Sequence, residues 1–161
     1  MIKNDNFRYA DITLHGDYTA SLSYMTDIPY QWLVQAIFGL RKDASITVAG
    51  LTEPGRKLFT FTDTSCHIIY ECESDFPASE SHSSYCVVPM GKLDFCKELY
   101  HDISSELDDW ALWYNCLNKT ENGEYPYDNP HFMRSRTMYE QKLLQLKDLI
   151  DMKEKENQYD H

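Results

Sequence analysis

Carboxylates recur at every fourth position in one stretch of the sequence, a set that we call the acidic ladder: Asp94, Glu98, Asp102 and Glu106. Side chains four residues apart are neighbours on a helix, and each like-charged pair costs about 0.2–0.5 kcal/mol. The helix dipole favours acids in the first turn, which accounts for Asp94 and Glu98 but not for Asp102, Glu106 or Asp109. We therefore expect basic side chains of a partner to pair with the ladder. The alternative is a solvated face that keeps the protein soluble.

The stretch 118–129 mixes acids with tyrosines, and its Gly123 and Pro126 predict a loop. Acids beside exposed tyrosines are typical of protein-binding surfaces, because tyrosine supplies contact area at low entropic cost. The alternative is an ordinary polar loop whose tyrosines fold back onto the core. The polar stretch Ser74–Ser84, which contains Phe76, predicts a second exposed loop.

Trp113 lies on the same predicted helix as the ladder but outside the apolar stripe of that helix. We therefore expect its side chain either to contact a partner or to pack at the core or its rim. Trp110 lies on that stripe and is predicted to be core. The residues predicted to bind a partner are Asp94, Glu98, Asp102, Glu106, Asp109, Trp113, Glu121, Glu124, Tyr125, Tyr127 and Asp128.

Catalytic and metal-binding patterns have little support. The six histidines show neither His-x-x-x-His nor His-Glu-x-x-His spacing. His82 and Cys86 are four apart but at a predicted loop–strand junction, and Cys96 and His101 are five apart, which places them on different helix faces. The sequence therefore predicts a protein that is not an enzyme and that has no metal or cofactor. A small enzyme with a Cys/His site assembled across the fold is the alternative.

The net charge of −11 is concentrated in the middle of the chain. Residues 63–90 carry five acids and no Lys or Arg, and residues 91–128 carry nine acids and three bases. The two ends, 1–62 and 129–161, each carry six acids and six bases. A field of one sign repels nucleic acid and anionic membranes and attracts cations. The charge therefore predicts a basic protein partner, with no direct binding to nucleic acid or membrane.

Hydrophobic patterns predict the elements that carry these residues. Residues 7–14 and 18–24 alternate as a hairpin, and residues 45–49, 58–62, 66–72 and 85–88 read as four further strands. Between the two groups, a helix capped by Asp27 with Pro29 in its first turn runs to about Leu40. Apolar residues at alternating steps of three and four predict one long helix over 92–117. The last helix starts either at Asn129–Pro130 or at the capping box Thr137–Glu140.

This order predicts an α+β fold, with an antiparallel sheet of five to six strands, one helix between strands and two C-terminal helices packed on the sheet. The chain 1–161 is predicted to be one domain: 1–90 mainly strands with one helix, 91–152 helical and 153–161 a frayed tail. Met1–Asn6 lacks the apolar core of a secretion signal, and no apolar run approaches the ~20 residues that span a bilayer. With five irregularly spaced cysteines, we expect reduced thiols and a cytoplasmic location.

The acidic stretch Asp108–Asn115 and the acidic tyrosine loop after it resemble, in general character, the immunity proteins of bacterial polymorphic-toxin and contact-dependent inhibition systems. Those proteins are small, single-domain, cytosolic, often acidic and diverse in fold. The resemblance implies a protein that neutralises a cognate bacterial toxin, often a basic nuclease, by covering its active site or a nearby surface. Acidic side chains would then occupy the place of phosphates. The alternative is a phage-type protein that mimics nucleic acid to inhibit a host enzyme.

Overall fold

The computed structural model describes residues 2–5, 9–16, 18–23, 28–52, 55–72 and 82–159. In these residues, two antiparallel sheets have their strands in chain order. The first sheet contains β1 (Ile2–Asp5), β2 (Tyr9–Leu14) and β3 (Tyr18–Ser23), and the second contains β4 (Ile46–Leu51), β5 (Arg56–Phe61), β6 (Cys66–Cys72) and β7 (His82–Val88). The helices are α1 (Tyr30–Lys42), α2 (Lys92–Ser105), α3 (Leu107–Tyr114) and α4 (Pro130–Tyr159). The predicted α+β class is confirmed.

The predicted N-terminal hairpin is confirmed as β2 and β3, with Leu14 opposite Tyr18. His15 and Gly16 in the turn both have positive φ, 52° and 77°, a conformation that glycine adopts without steric cost. The short strand β1 pairs with β2 and was not predicted from the sequence.

The single sheet of five to six strands was wrong, because the strands divide into two sheets. The strands β3 and β4 approach each other but are not hydrogen-bonded neighbours. A Cβ added at Gly50 of β4 would lie 2.5 Å from Cδ2 of Leu22 in β3. Leu22 is fully buried at this contact, so side-chain packing joins the sheets here.

One core connects the second sheet to the helices. Phe95 of α2 stacks on Phe61 of β5 with ring centroids 3.9 Å apart. Trp32 of α1 lies between Phe59 and Phe95, and its indole N–H donates to the backbone oxygen of Ala49 at 3.0 Å. Burying these aromatic side chains supplies a large share of the hydrophobic stabilisation.

The predicted helix over 92–117 was also wrong, because it breaks at Glu106. This residue has φ −128° and ψ 36°, outside the helical range, and separates α2 from α3. The break removes Glu106 from the row of acids four residues apart, which relieves the repulsion from Asp102 that a continuous helix would impose. It also re-aims α3, which buries four consecutive residues, Trp110, Ala111, Leu112 and Trp113.

The helix α4 settles the choice between the two predicted starts. The side-chain oxygen of Asn129 accepts the backbone N–H groups of His131 at 2.9 Å and Phe132 at 3.3 Å, so the Asn129–Pro130 start is confirmed. The helix runs on to Tyr159 and so includes most of the segment from Lys153 that was predicted to fray. A pair between Lys97 of α2 and Glu154, 2.7 Å apart, fixes this last part.

The position of α4 also differs from the prediction. It packs on α1, α2 and α3 instead of lying on a sheet. None of the described helices has the length and apolar character needed to cross a membrane.

Candidate functional site

The structure divides the acidic ladder. Asp94, Glu98 and Asp102 lie on α2, whereas Glu106 occupies the break before α3. Asp94 and Glu106 are exposed, but Glu98 and Asp102 are partly buried. The predicted row of four carboxylates on one helix face is therefore not formed.

Asp102 has a role inside the fold. Its Oδ2 accepts the backbone N–H of Ile2 in β1 at 2.7 Å, and its Oδ1 lies 3.2 Å from Nδ1 of His101. The Asp102 side chain is only 16% exposed. Because an ionised acceptor strengthens a hydrogen bond, this carboxylate stabilises the attachment of β1 to α2. Its presence in the ladder needs no external partner.

Glu98 has a perturbed ionisation. Burial raises the pKa of its carboxyl, and the nearby carboxylates of Asp102 and Asp94 raise it further. A cavity of about 250 Å³ adjoins it and is lined also by His15 and Lys97. This face therefore combines acids with bases, unlike the continuous acidic surface expected from the sequence.

A second group combines two acids of α3 with side chains of the following loop and of α4. We call it the acid–tyrosine cluster: Asp108, Asp109, Tyr125, Tyr127 and Arg136. Nε of Arg136 donates to Oδ1 of Asp108 at 2.6 Å. The Tyr127 hydroxyl donates to Oδ2 of the same carboxylate at 2.7 Å. The Tyr125 hydroxyl donates to Oδ1 of Asp109 at 2.9 Å. The cluster therefore ties α3, the loop and α4 together.

Aromatic and cationic contacts support this cluster. The Tyr125 ring stacks on Phe132 and the Tyr127 ring meets Phe132 edge-on, with centroids 6.2 and 5.6 Å apart. Nζ of Lys119 lies 4.3 Å from the Tyr125 ring centroid. Burial raises the pKa of Tyr125, and the hydrogen bond to Asp108 raises the pKa of Tyr127. Both hydroxyls therefore remain protonated donors at neutral pH.

The loop 118–129 is a series of hydrogen-bonded turns. The N–H of Thr120 donates to the backbone oxygen of Glu124, and that of Gly123 to the oxygen of Thr120, both at 2.8 Å. Gly123 has φ +79°, which suits glycine. The N–H of Tyr127 donates to the oxygen of Tyr125 at 2.9 Å. The backbone and the two tyrosines therefore hold the loop in one conformation.

The loop presents acids on its outer side. Glu121, Glu124 and Asp128 are exposed, and none of them forms an ion pair with another described residue. Tyr127 is 53% exposed, whereas Tyr125 is partly buried against Phe132. The loop thus combines both sequence expectations, since one tyrosine folds onto the core and the other keeps half of its surface free.

Trp113 lies in the core. It is 3% exposed and meets Trp110 edge-on, with ring centroids 5.6 Å apart. The apolar environment of α3 therefore removes Trp113 from the surface that a partner could contact. Trp113 was predicted to lie off the apolar stripe of one continuous helix. Because the helix breaks at Glu106, that stripe does not continue into α3.

Of the candidates for catalysis, Cys96 and His101 are not brought together. Cys96 is fully buried, and burial raises the pKa of its thiol, whereas His101 is 80% exposed. Within the described part of the chain, no three His, Cys, Asp or Glu side chains group as a metal site would. Most of the predicted Ser74–Ser84 loop, up to Ser81, lies outside the described residues, and residues 82–84 belong to β7.

Arg136 belongs to this site although nothing was predicted for it from the sequence. It pairs with Asp108, which is 28 positions earlier in the chain, and also with Glu140 one turn away on α4. Only the pair of Arg136 with Glu140 has a local signal in the sequence, because these two residues are four positions apart on one helix. The pair with Asp108 depends on how α3 packs against α4.

Comparison with known proteins found no matching family model, no matching curated protein and no matching solved structure. The site is thus defined by its own geometry: a loop held by two helices, with three exposed carboxylates and one half-exposed tyrosine.

Proposed function

We propose that this chain is an acidic binding protein that neutralises a basic partner, and that the loop 118–129 is the centre of its contact surface. The observation that carries the proposal is the way the acid–tyrosine cluster fixes this loop. Asp108 and Asp109 accept from Tyr127 and Tyr125, while the loop carboxylates stay exposed.

A fixed loop binds more tightly than a flexible one of the same composition, because less conformational entropy is lost on association. The exposed half of the Tyr127 ring offers apolar contact area beside carboxylates, a combination typical of interfaces. Glu121, Glu124 and Asp128 increase the association rate with a positively charged surface. Asp94 and Glu106 are exposed as well, but Asp94 lies beside His15 and Lys97, so the loop is the centre of the proposed surface.

The partner that fits this surface is a basic protein. Among acidic binding proteins, we propose a bacterial immunity protein acting in the cytoplasm on a cognate toxin, with a basic nuclease domain as the target. The loop carboxylates would pair with the lysine and arginine side chains that otherwise hold phosphates. Asp108 and Asp109 support this surface through their hydrogen bonds to Tyr127 and Tyr125, whereas Asp102 attaches β1 to α2.

The test compares two triple variants with the same change in charge. E121Q/E124Q/D128N neutralises the loop, and D148N/D151N/E156Q neutralises surface carboxylates of α4 while keeping the pair between Lys97 and Glu154. The tagged proteins are used to capture partners from the native host at low salt and at about 0.5 M salt, where surface electrostatics are largely screened. Each captured basic protein is then assayed for toxicity or nuclease activity with and without the purified chain.

We expect the unmodified chain and the α4 variant to capture and inhibit the same basic protein, and the loop variant to lose both effects. Binding should weaken at high salt. Equal inhibition by all three proteins would remove the loop from the contact surface. If the chain instead captured a host enzyme that shows no toxic activity, a nucleic-acid mimic would be favoured over an immunity protein.

A further inference from the structure

A cavity of about 340 Å³ lies between the two sheets, on the side of the second sheet that faces β3. Tyr18, at the start of β3, forms one wall, and residues of β5, β6 and β7 form the other. Cavities at the junction of two layers are common positions for small-molecule sites, and this volume is within their usual range of about 300–1,000 Å³.

Lys57 brings a positive charge into this cavity. Its Nζ donates to the hydroxyl of Tyr18 at 2.9 Å and lies 5.1 and 5.6 Å from the ring centroids of Tyr18 and Tyr70. Cation–π contacts of this length hold an ammonium in place. An ammonium has three N–H donors, and the Tyr18 hydroxyl takes only one of them.

Lys57 differs from Lys97, which lines the cavity beside Glu98. In that cavity, Lys97 pairs with Glu154 at 2.7 Å. No carboxylate of the described residues forms an ion pair with Lys57, although acids outnumber Lys and Arg by 26 to 15 in the whole chain. A cation held in place in a concave site, with no acid among the described residues that line it, attracts an anion.

The other lining residues define what kind of anion fits. Thr52 and Ser84 add hydroxyl groups, and no acid lines the cavity among the described residues. Ile68, which is 1% exposed, and the two tyrosine rings supply an apolar wall. The site therefore places one charged donor beside a flat apolar surface.

We propose that this cavity binds a small organic anion, with its carboxylate or phosphate group at Lys57 and its carbon skeleton against Ile68 and the rings of Tyr18 and Tyr70. This cavity is separate from the loop 118–129, and its proposed ligand is negatively charged, whereas the proposed partner of the loop is positively charged. The two proposals can therefore be tested independently.

The experiment titrates the protein with benzoate, phenyl phosphate and inorganic phosphate at constant ionic strength, and follows backbone and side-chain NMR shifts. Saturable shifts with benzoate or phenyl phosphate are expected at residues of the cavity, with inorganic phosphate binding more weakly. Absence of saturable shifts with all three probes would overturn the proposal. Equal binding of inorganic phosphate and phenyl phosphate would overturn the assigned apolar wall.

Four variants locate the binding. Lys57→Gln should weaken it by at least about tenfold, the loss expected for one charge-assisted hydrogen bond, whereas Lys57→Arg should retain it. Lys155→Gln makes the same charge change on exposed α4 and should leave binding unchanged. Ser84→Leu fills the cavity without altering charge and should also prevent binding, which keeps the test decisive if Lys57→Gln fails to fold. Unchanged binding in Ser84→Leu would contradict the assigned position.

Discussion

The carboxylate of Asp102 accepts a hydrogen bond from the backbone N–H of Ile2 at 2.7 Å, although the two residues are 100 positions apart in the chain. The strand β1 lies at the edge of its sheet, so a backbone donor on its outer side has no neighbouring strand to bond. Asp102 supplies the missing acceptor from α2. An acid that appeared unfavourable on its own helix therefore stabilises a strand.

Replacing Asp102 with alanine should lower the free energy of unfolding by about 1–3 kcal/mol, because it leaves a partly buried backbone donor without its charged acceptor. Relief of the repulsion from Glu98 offsets only a small part of this. Denaturant unfolding measures the change. Asp94→Ala, on the exposed part of the same helix, should change stability by less than about 0.5 kcal/mol. Equal effects of the two variants would contradict the role given to Asp102.

Glu98→Gln should stabilise the protein at neutral pH. Because the pKa of Glu98 is raised in the folded state, the folded state holds this proton more tightly than the unfolded state. The stability of the unmodified protein therefore falls as the pH rises from the ordinary glutamate pKa through the folded one. The advantage of the variant should disappear below about pH 4. Thermal unfolding between pH 3.5 and 7.5 checks this, with exposed Glu121→Gln as the control that should change little.

Gly91→Ala should lower the free energy of unfolding by about 1–3 kcal/mol, the usual cost of forcing extra atoms into a packed site. A Cβ at this position would collide with the backbone oxygen of Asp63. Gly91 is also the N-cap of α2, where serine is normally favourable. Gly91→Ser therefore separates the two effects in a denaturant titration. If serine stabilised the protein, the steric explanation would be wrong.

The thiols should differ strongly in their reaction with a disulfide reagent at pH 8. Burial raises the pKa of Cys66 to about 12 and raises the pKa of Cys96 as well, so neither has an appreciable thiolate fraction or access to the reagent. Cys86 and Cys116 are exposed. Cys86→Ser and Cys116→Ser should each remove one rapidly reacting thiol, whereas Cys66→Ser and Cys96→Ser should remove none. Rapid labelling that is lost with Cys96→Ser would contradict its burial.

Tyr125→Phe and Tyr127→Phe should loosen the loop 118–129 without unfolding the protein. Each removes one hydroxyl that donates to α3 while keeping the ring on Phe132. We expect amide exchange at Thr120, Gly123 and Tyr127 to accelerate by about threefold to tenfold, the equivalent of one hydrogen bond. Hydrogen-exchange NMR measures this, with Tyr30→Phe on α1 as the control. Unchanged exchange would mean that the backbone turns alone fix the loop.

Local patterns in the sequence predicted much of the fold. The alternation of Ile46 and Val48 with Thr47 and Ala49 marks β4 without knowledge of its neighbours, and Asn129 with Pro130 marks the start of α4. These signals are reliable because strand alternation and helix capping involve residues only a few positions apart. The division into two sheets was not predictable in this way, since it depends on how Leu22 meets Gly50.

The sequence by itself determined that the negative charge is concentrated between residues 63 and 128 and that acids and tyrosines share one loop. Only the tertiary structure decided which of those acids remain on the surface. Asp102 and Asp108 are satisfied by Ile2 and Arg136, whereas Glu121 and Glu124 are exposed. The physical reason is that a carboxylate's energy depends on the donors and charges within a few ångströms, and in this fold those groups come from distant parts of the chain.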